Sequence, residues 1–133
     1  MDNKENPNYG IYIHEKDGQK WVRVKVCGYD FLLALHDIEI NGETEFNWQE
    51  ACDAAKSLGY TLPSKKQWEL VEVYRDEIEK VIVENGGDPL SVAYWTVARY
   101  NSDNAWFYHA YYGRLYDISL YNGLAARPLA YPD

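Results

Sequence analysis

Beyond residue 84 the chain has no Glu, Lys, Gln or Met. These four types number 23 in residues 1–84: eleven Glu, eight Lys, three Gln and Met1. So uneven a composition inside one chain marks the last third as a segment under a constraint of its own. Tyr, Asn, Asp, Ser, Ala, Gly, Leu and Arg fill it, and eight of the thirteen Tyr fall there. Tyr gives a large, stiff, amphipathic contact area, and Ser, Asn and Gly give adaptable hydrogen bonding, the mixture that antibody paratopes use. Strands are also depleted in Glu and Lys and enriched in Tyr, so sheet structure alone explains part of the pattern. The last third has the make-up of a binding surface.

Other absences exclude whole classes of function. Basic residues are few, 13 against 21 acidic, for a net charge of −8, and no basic patch is present to neutralise phosphates. That argues against nucleic acid as a partner. The excess acid lies at the front: residues 1–84 carry 17 acidic and 10 basic groups, residues 85–133 four and three. No apolar run approaches a membrane span, so no membrane insertion is expected. The polar start Met1-Asp2-Asn3-Lys4-Glu5-Asn6-Pro7-Asn8 lacks the apolar stretch of a signal peptide. Cys27 and Cys52 read as free, mostly buried thiols, and they form no metal-ligand spacing with His14, His36 or His109. There is no Gly-rich phosphate loop and no Ser or Cys nucleophile in a recognisable setting, so neither a cofactor nor an enzymatic activity is expected.

What is present is a foldable chain. Its hydrophobic content of 47% and aromatic content of 16% indicate one folded domain over residues 1–133. Ile11–His14 and Trp21–Val26 alternate as strands, with Asp17-Gly18 as a hairpin turn between them. Phe31–Leu35 reads as a buried strand, and Asn41-Gly42 as a turn. Two helices follow. Asn47 with Glu50 and Ser64 with Gln67 each make a capping box. Trp48, Ala51, Cys52, Ala55 and Leu58 share the first apolar face; Trp68, Val71, Tyr74, Ile78, Val81 and Ile82 share the second. Gly59 and Asn85-Gly86-Gly87 end them. Short strands are expected over 92–98, 105–111, 114–120 and 124–131, with a turn at Tyr112-Gly113.

In this order the motifs resemble a known family. Asn47-Trp48-Gln49-Glu50-Ala51, the Leu58–Ser64 link with Leu62-Pro63-Ser64, and Trp68 are similar to the helices and turn of the C-type lectin-like domain. Tyr94-Trp95-Thr96, Asn104-Ala105-Trp106 and Ala126-Arg127-Pro128-Leu129 resemble its sheet motifs in bacterial and phage branches. The resemblance spans about residues 44–131, and several ordered motifs carry it together. It implies an α+β C-type lectin-like fold: two helices packed on antiparallel sheets, the N- and C-terminal strands adjacent, and a small twisted sheet displaying its loops.

Within that family the chain looks most like the variable protein of a diversity-generating retroelement from a bacterium, archaeon or phage. Such elements rewrite adenines, often turning AAY codons into NNY codons, which cannot encode Glu, Lys, Gln, Met or Trp. The resemblance implies a variable ligand-binding region at about residues 92–124, with Trp95 and Trp106 as invariant framework. It implies non-enzymatic recognition of a protein or cell-surface ligand, a glycan among the possibilities, and attachment to a virion or cell surface through a partner. The alternative is an ordinary lectin-like domain, binding carbohydrate or protein without diversification. The calcium-dependent sugar site of lectins is not expected, because its Glu-Pro-Asn or Gln-Pro-Asp tripeptide is missing and Phe107-Tyr108 stands where the family has Asn-Asp. The family's usual disulfide is in doubt, with no cysteine in the last strand. The oxidases of the same fold class need a cysteine pair that the last third lacks.

Period-two alternation sorts the candidate contacts. If Trp106, Tyr108 and Ala110 point inward, then Phe107, His109 and Tyr111 point outward. Leu115 is the inward anchor across the turn, and Tyr116, Asp117, Ile118 and Ser119 straddle the exposed end; a register slip of one residue would exchange the inward and outward sets. Tyr100, Asn101, Asp103, Tyr112, Arg114 and Tyr121 sit at joints. His109 with Asp103 or Asp117 is the one acid–base pair that can be drawn, but a lone His on a Tyr-rich face reads first as a contact residue.

Overall fold

The computed structural model describes residues 8–132, so the polar start over 1–7 lies outside the described residues. In chain order the elements are β1 (Gly10–Lys16), β2 (Gln19–Val26), β3 (Tyr29–Ala34), α1 (Trp48–Ser57), α2 (Lys65–Val73), α3 (Arg75–Glu84), β4 (Ala93–Arg99), β5 (Asn104–His109), β6 (Arg114–Ser119) and β7 (Leu129–Ala130). They make an α+β fold with two antiparallel sheets, ordered β1-β2-β3-β7 and β4-β5-β6.

Two dipeptides able to take positive φ twice fold the front of the chain. Asp17-Gly18 (φ 56° and 76°) joins β1 to β2, and Cys27-Gly28 (φ 53° and 83°) joins β2 to β3. Two-residue loops of this handedness match the natural twist of the strands they connect. The inner face of the sheet carries Val22, Val24, Val26, Phe31 and Leu33 into the main core, beneath Trp68, Ile78 and Ile82. On the outer face Trp21, Leu32 and Ala34 form a smaller cluster, with the Tyr60 ring edge-on to Trp21 at 4.8 Å.

The N- and C-terminal strands are not adjacent. β7 pairs with β3, Leu32 opposite Ala130, while β1 lies at the far edge of the sheet. The tight turns at 17–18 and 27–28 lay β1 and β2 outward as a meander, which leaves β3 beside the end of the chain.

Both expected capping boxes form. Asn47 Oδ1 accepts the Glu50 N–H at 2.8 Å while Glu50 Oε1 accepts the Asn47 N–H at 2.9 Å. Ser64 and Gln67 repeat the exchange at 3.1 and 2.8 Å. Gly59 (φ 87°) ends α1: its N–H bonds Lys56 O and that of Tyr60 bonds Ala55 O, satisfying the last carbonyls. Leu58, expected on the packed face, is the cap residue and is 54% exposed.

The second helix is two. At Tyr74 (φ −106°, ψ 25°) the α-helical path breaks, and α3 starts at once. No Gly or Pro marks the place, and the apolar spacing runs through it. Tertiary partners hold the break: the Tyr74 ring meets Tyr9 at 6.0 Å, and Arg75 reaches across to loop carbonyls.

The C-terminal segment expected as one strand over 124–131 instead stitches the two sheets together. Leu124 exchanges hydrogen bonds with Phe46, Ala125 bonds the β4 backbone at Ala93 and Trp95, and Leu129 exchanges bonds with Thr61. Pro128, with no N–H, interrupts regular pairing. Between them Arg127 is fully buried. Its Nε donates to Asp37 Oδ1 at 2.8 Å, Nη1 to Ala34 O and Leu35 O at 3.2 and 3.1 Å, and Nη2 to Asp88 O at 2.9 Å.

Cys27 is exposed, contrary to expectation, because the β2–β3 turn presents it to solvent; Cys52 is half-buried on α1, and both are free. Burial, with Asp53 beside it, pushes the Cys52 thiol up to about 11. The thiolate is the reactive form. At neutral pH an alkylating reagent should modify Cys27 faster than Cys52, as peptide mass spectrometry would read; equal rates would contradict the burial of Cys52.

Candidate ligand-binding surface

Three tryptophans fix the small sheet from its two faces. Trp95, fully buried on β4, donates its indole N–H to Phe46 O at 2.7 Å. Trp48 of α1 donates to Thr96 O at 2.9 Å, and Trp68 of α2 to Trp95 O at 3.3 Å. Trp68 also stacks on Tyr94 (5.1 Å) and Tyr108 (4.8 Å), cross-strand partners on β4 and β5. Buried ring stacking of this kind adds to area burial. The β4-β5-β6 sheet is therefore seated rigidly.

Register then decides what reaches solvent. Trp95, Phe107 and Tyr116 are successive partners across the three strands, as are Ala93, His109 and Arg114 at the open end. Phe107, expected outward, is only 8% exposed. It packs with Trp95, Phe46, Ala51 and Leu120, because α1 and the 46–48 segment cover this face of the sheet just as α2 covers the other. Strict alternation between core and solvent fails in a sheet covered on both sides. Tyr108 and Ala110 are buried as expected, and Leu115 packs half-buried beside them. Trp106 is half-buried, its ring covered by Lys65 Nζ at 3.7 Å and by Tyr100 edge-on at 5.2 Å.

β5 ends at His109, earlier than expected, and residues 110–113 form the turn; the Gly113 N–H bonds His109 O at 2.8 Å to close it. The turn gathers an aromatic cluster on the candidate residues. His109 lies 4.6 Å from Tyr112 and 6.5 Å from both Tyr111 and Tyr116, and Tyr116 lies 5.8 Å from Phe107. Tyr111 is 80% and Tyr112 62% exposed, with the exposed Arg114 opposite His109. At this hairpin tip a floor of packed rings meets solvent.

The other candidates collect at the opposite end of the strands. Asn101 Oδ1 accepts the backbone N–H groups of Asp103 and Asn104 at 2.9 and 2.8 Å, and Asn104 Nδ2 donates to Asp117 Oδ1 at 2.9 Å. Ser119 Oγ accepts the Tyr121 N–H at 3.3 Å, and Tyr121 projects into solvent, 84% exposed. The short polar side chains here shape the loops, as Asx-type bonding does, and leave Tyr100 and Tyr121 as the large contacts. Asp117 pairs across to Trp106 rather than His109, so the His–Asp pair drawn from sequence is not built. Among the described residues no three His, Cys, Asp or Glu side chains converge to hold a metal.

Alternation and turn signals did not point to the polar support under the tip. The Tyr108 hydroxyl donates to Glu72 Oε1, and burial first, then that carboxylate, hold the phenol neutral by raising its pKa. Arg75 joins the same group, with Nη1 3.5 Å from Glu72 Oε1 and Nε 3.2 Å from Glu79 Oε1. A half-buried Trp and a solvent-facing Tyr should answer differently to truncation. Trp106→Ala should cost about 1–3 kcal/mol, less than a fully buried Trp would, and Tyr116→Ala under about 1 kcal/mol. Denaturant melts compare them; equal losses would make the tip part of the core.

Compared with known proteins, the chain matches no family model and aligns with no curated protein.

Proposed function

We propose that the chain is a non-enzymatic recognition module of C-type lectin-like fold, whose β4-β5-β6 sheet and its turns contact a protein or other cell-surface ligand. The observation that carries this is the ring cluster of exposed Tyr111, Tyr112 and Tyr116 around half-buried His109, with Arg114 beside it, standing on a sheet held by buried tryptophans. Tyr and Arg are the residue types that dominate binding energy at interfaces. In support of the fold, the two capped helices and the Trp68-centred packing occur where the resemblance puts them. The strand order counts against it, since the last strand lies beside β3 and β1 lies at the far edge of the sheet.

The missing Glu, Lys, Gln and Met in 85–133 favour a diversified surface. Phe107 leaves the set of variable contacts, and Tyr100, Asn101, Asp103, His109, Tyr111, Tyr112, Arg114, Tyr116, Asp117, Ser119 and Tyr121 remain. Sequencing the encoding locus tests this. A near-identical template repeat that differs at adenines, beside a reverse transcriptase gene, is the expected result. A locus without such a repeat would return the chain to the ordinary lectin-like reading. Binding should persist in the presence of a chelator, because calcium needs several convergent oxygen ligands and no three carboxylates converge among the described residues.

A further inference from the structure

We infer that Arg75 and Glu72, outside the segment that makes contact, are positioning residues that clamp the β5–β6 turn and so preform the Tyr111–Tyr112 tip. This rests on the tip being the contact surface. Arg75 is the first residue of α3, where a cation opposes the helix dipole. Its partners explain why it is there. Nη1 donates to Ala110 O inside the turn, and Nη2 donates to Leu90 O, just before β4, at 2.8 Å. Glu79 Oε1 accepts from both Arg75 Nε and the Leu90 N–H, at 3.2 and 3.1 Å. One guanidinium thus ties the segment leading into β4 to the turn leaving β5, and the break at Tyr74 is what aims it there.

Glu72 closes the clamp from the end of α2. It accepts the Tyr108 hydroxyl two residues before the turn, and its carboxylate packs against Gly113. A Cβ on Gly113 would lie 2.9 Å from Glu72 Oε2, at a φ of +67° that L residues rarely adopt. Gly113 is therefore a fixed point between exposed positions 111, 112, 114 and 116, whose side chains are free to differ. A rigid tip loses less conformational freedom on binding, which is how preorganisation raises affinity.

Hydrogen exchange of the unliganded protein tests the clamp without any ligand, so its failure is separable from failure of the proposed function. In Arg75→Gln the amides of Ala110, Tyr112 and Gly113 should exchange about tenfold faster or more, the equivalent of one lost hydrogen bond. Amides of β2 and β3 should change far less. Arg75→Lys should behave like Arg75→Gln, since a single ammonium cannot serve both carbonyls, whereas rescue by Lys would mean that only the charge matters and would overturn the clamp. Gly113→Ala should loosen the same amides. Unchanged tip exchange in these variants, or an equal rise throughout the chain, would also overturn it.

Discussion

Trp68→Ala is expected to cost about 3–5 kcal/mol, the range for emptying a large buried aromatic site. Small domains have only about 5–15 kcal/mol of stability in all. Trp68 is fully buried, stacks on both Tyr94 and Tyr108, and bonds Trp95 O at 3.3 Å. Its loss removes the ring stacking between α2 and the small sheet as well as part of the filling of the main core. Urea titration should show the midpoint falling sharply. A loss under about 1 kcal/mol, the scale of surface substitutions, would mean that α2 does not support the sheet.

Arg127→Met should cost as much by a different route. Removing one partner of a buried ion pair costs about 3–5 kcal/mol, and the lower end applies here, because the Asp37 side chain left behind is 24% exposed. Asp37 would lose its guanidinium, the carbonyls of Ala34 and Asp88 would lose the Arg127 donor, and that of Leu35 would keep only the Asp88 N–H at 2.8 Å. Methionine keeps much of the volume, so the loss reads the polar contacts rather than a cavity. Arg127→Lys should recover only part, since an ammonium cannot spread over donors so far apart. Full recovery by Lys would show that charge alone, not the forked geometry, holds the C-terminal segment.

Local chemistry in this chain was legible from sequence, and long-range arrangement was not. Asn47/Glu50, Ser64/Gln67, Asp17-Gly18 and Gly59 act within a few residues of themselves, and each does what its chemistry dictates. Cys27 at positive φ carries no such signal, so the second hairpin was not foreseen. Neither was the break at Tyr74, because Val71, Ile78 and Ile82 keep a helical spacing across it and its partners are distant in sequence. Phe107 was misplaced because alternation cannot say that both faces of a sheet are covered. The strand order depended on which of three N-terminal strands met β7, which no local pattern encodes. At the candidate surface, Tyr111 and Tyr116 came from strand alternation and Tyr112 and Arg114 from turn signals, and all four gather at one tip. The support from Glu72 and Arg75 lies outside the segment whose composition drew notice.

The most direct test of a contact surface carried on a separate framework is simultaneous randomisation of His109, Tyr111, Tyr112, Arg114, Tyr116, Asp117 and Ser119, with Phe107 and Gly113 kept. The quantity to measure is the share of members that remain folded, read as protease resistance on a display host. Most members should fold, since these side chains lie at or near solvent and the core tryptophans are untouched. If most members unfold, these residues are structural and the surface is not a display surface.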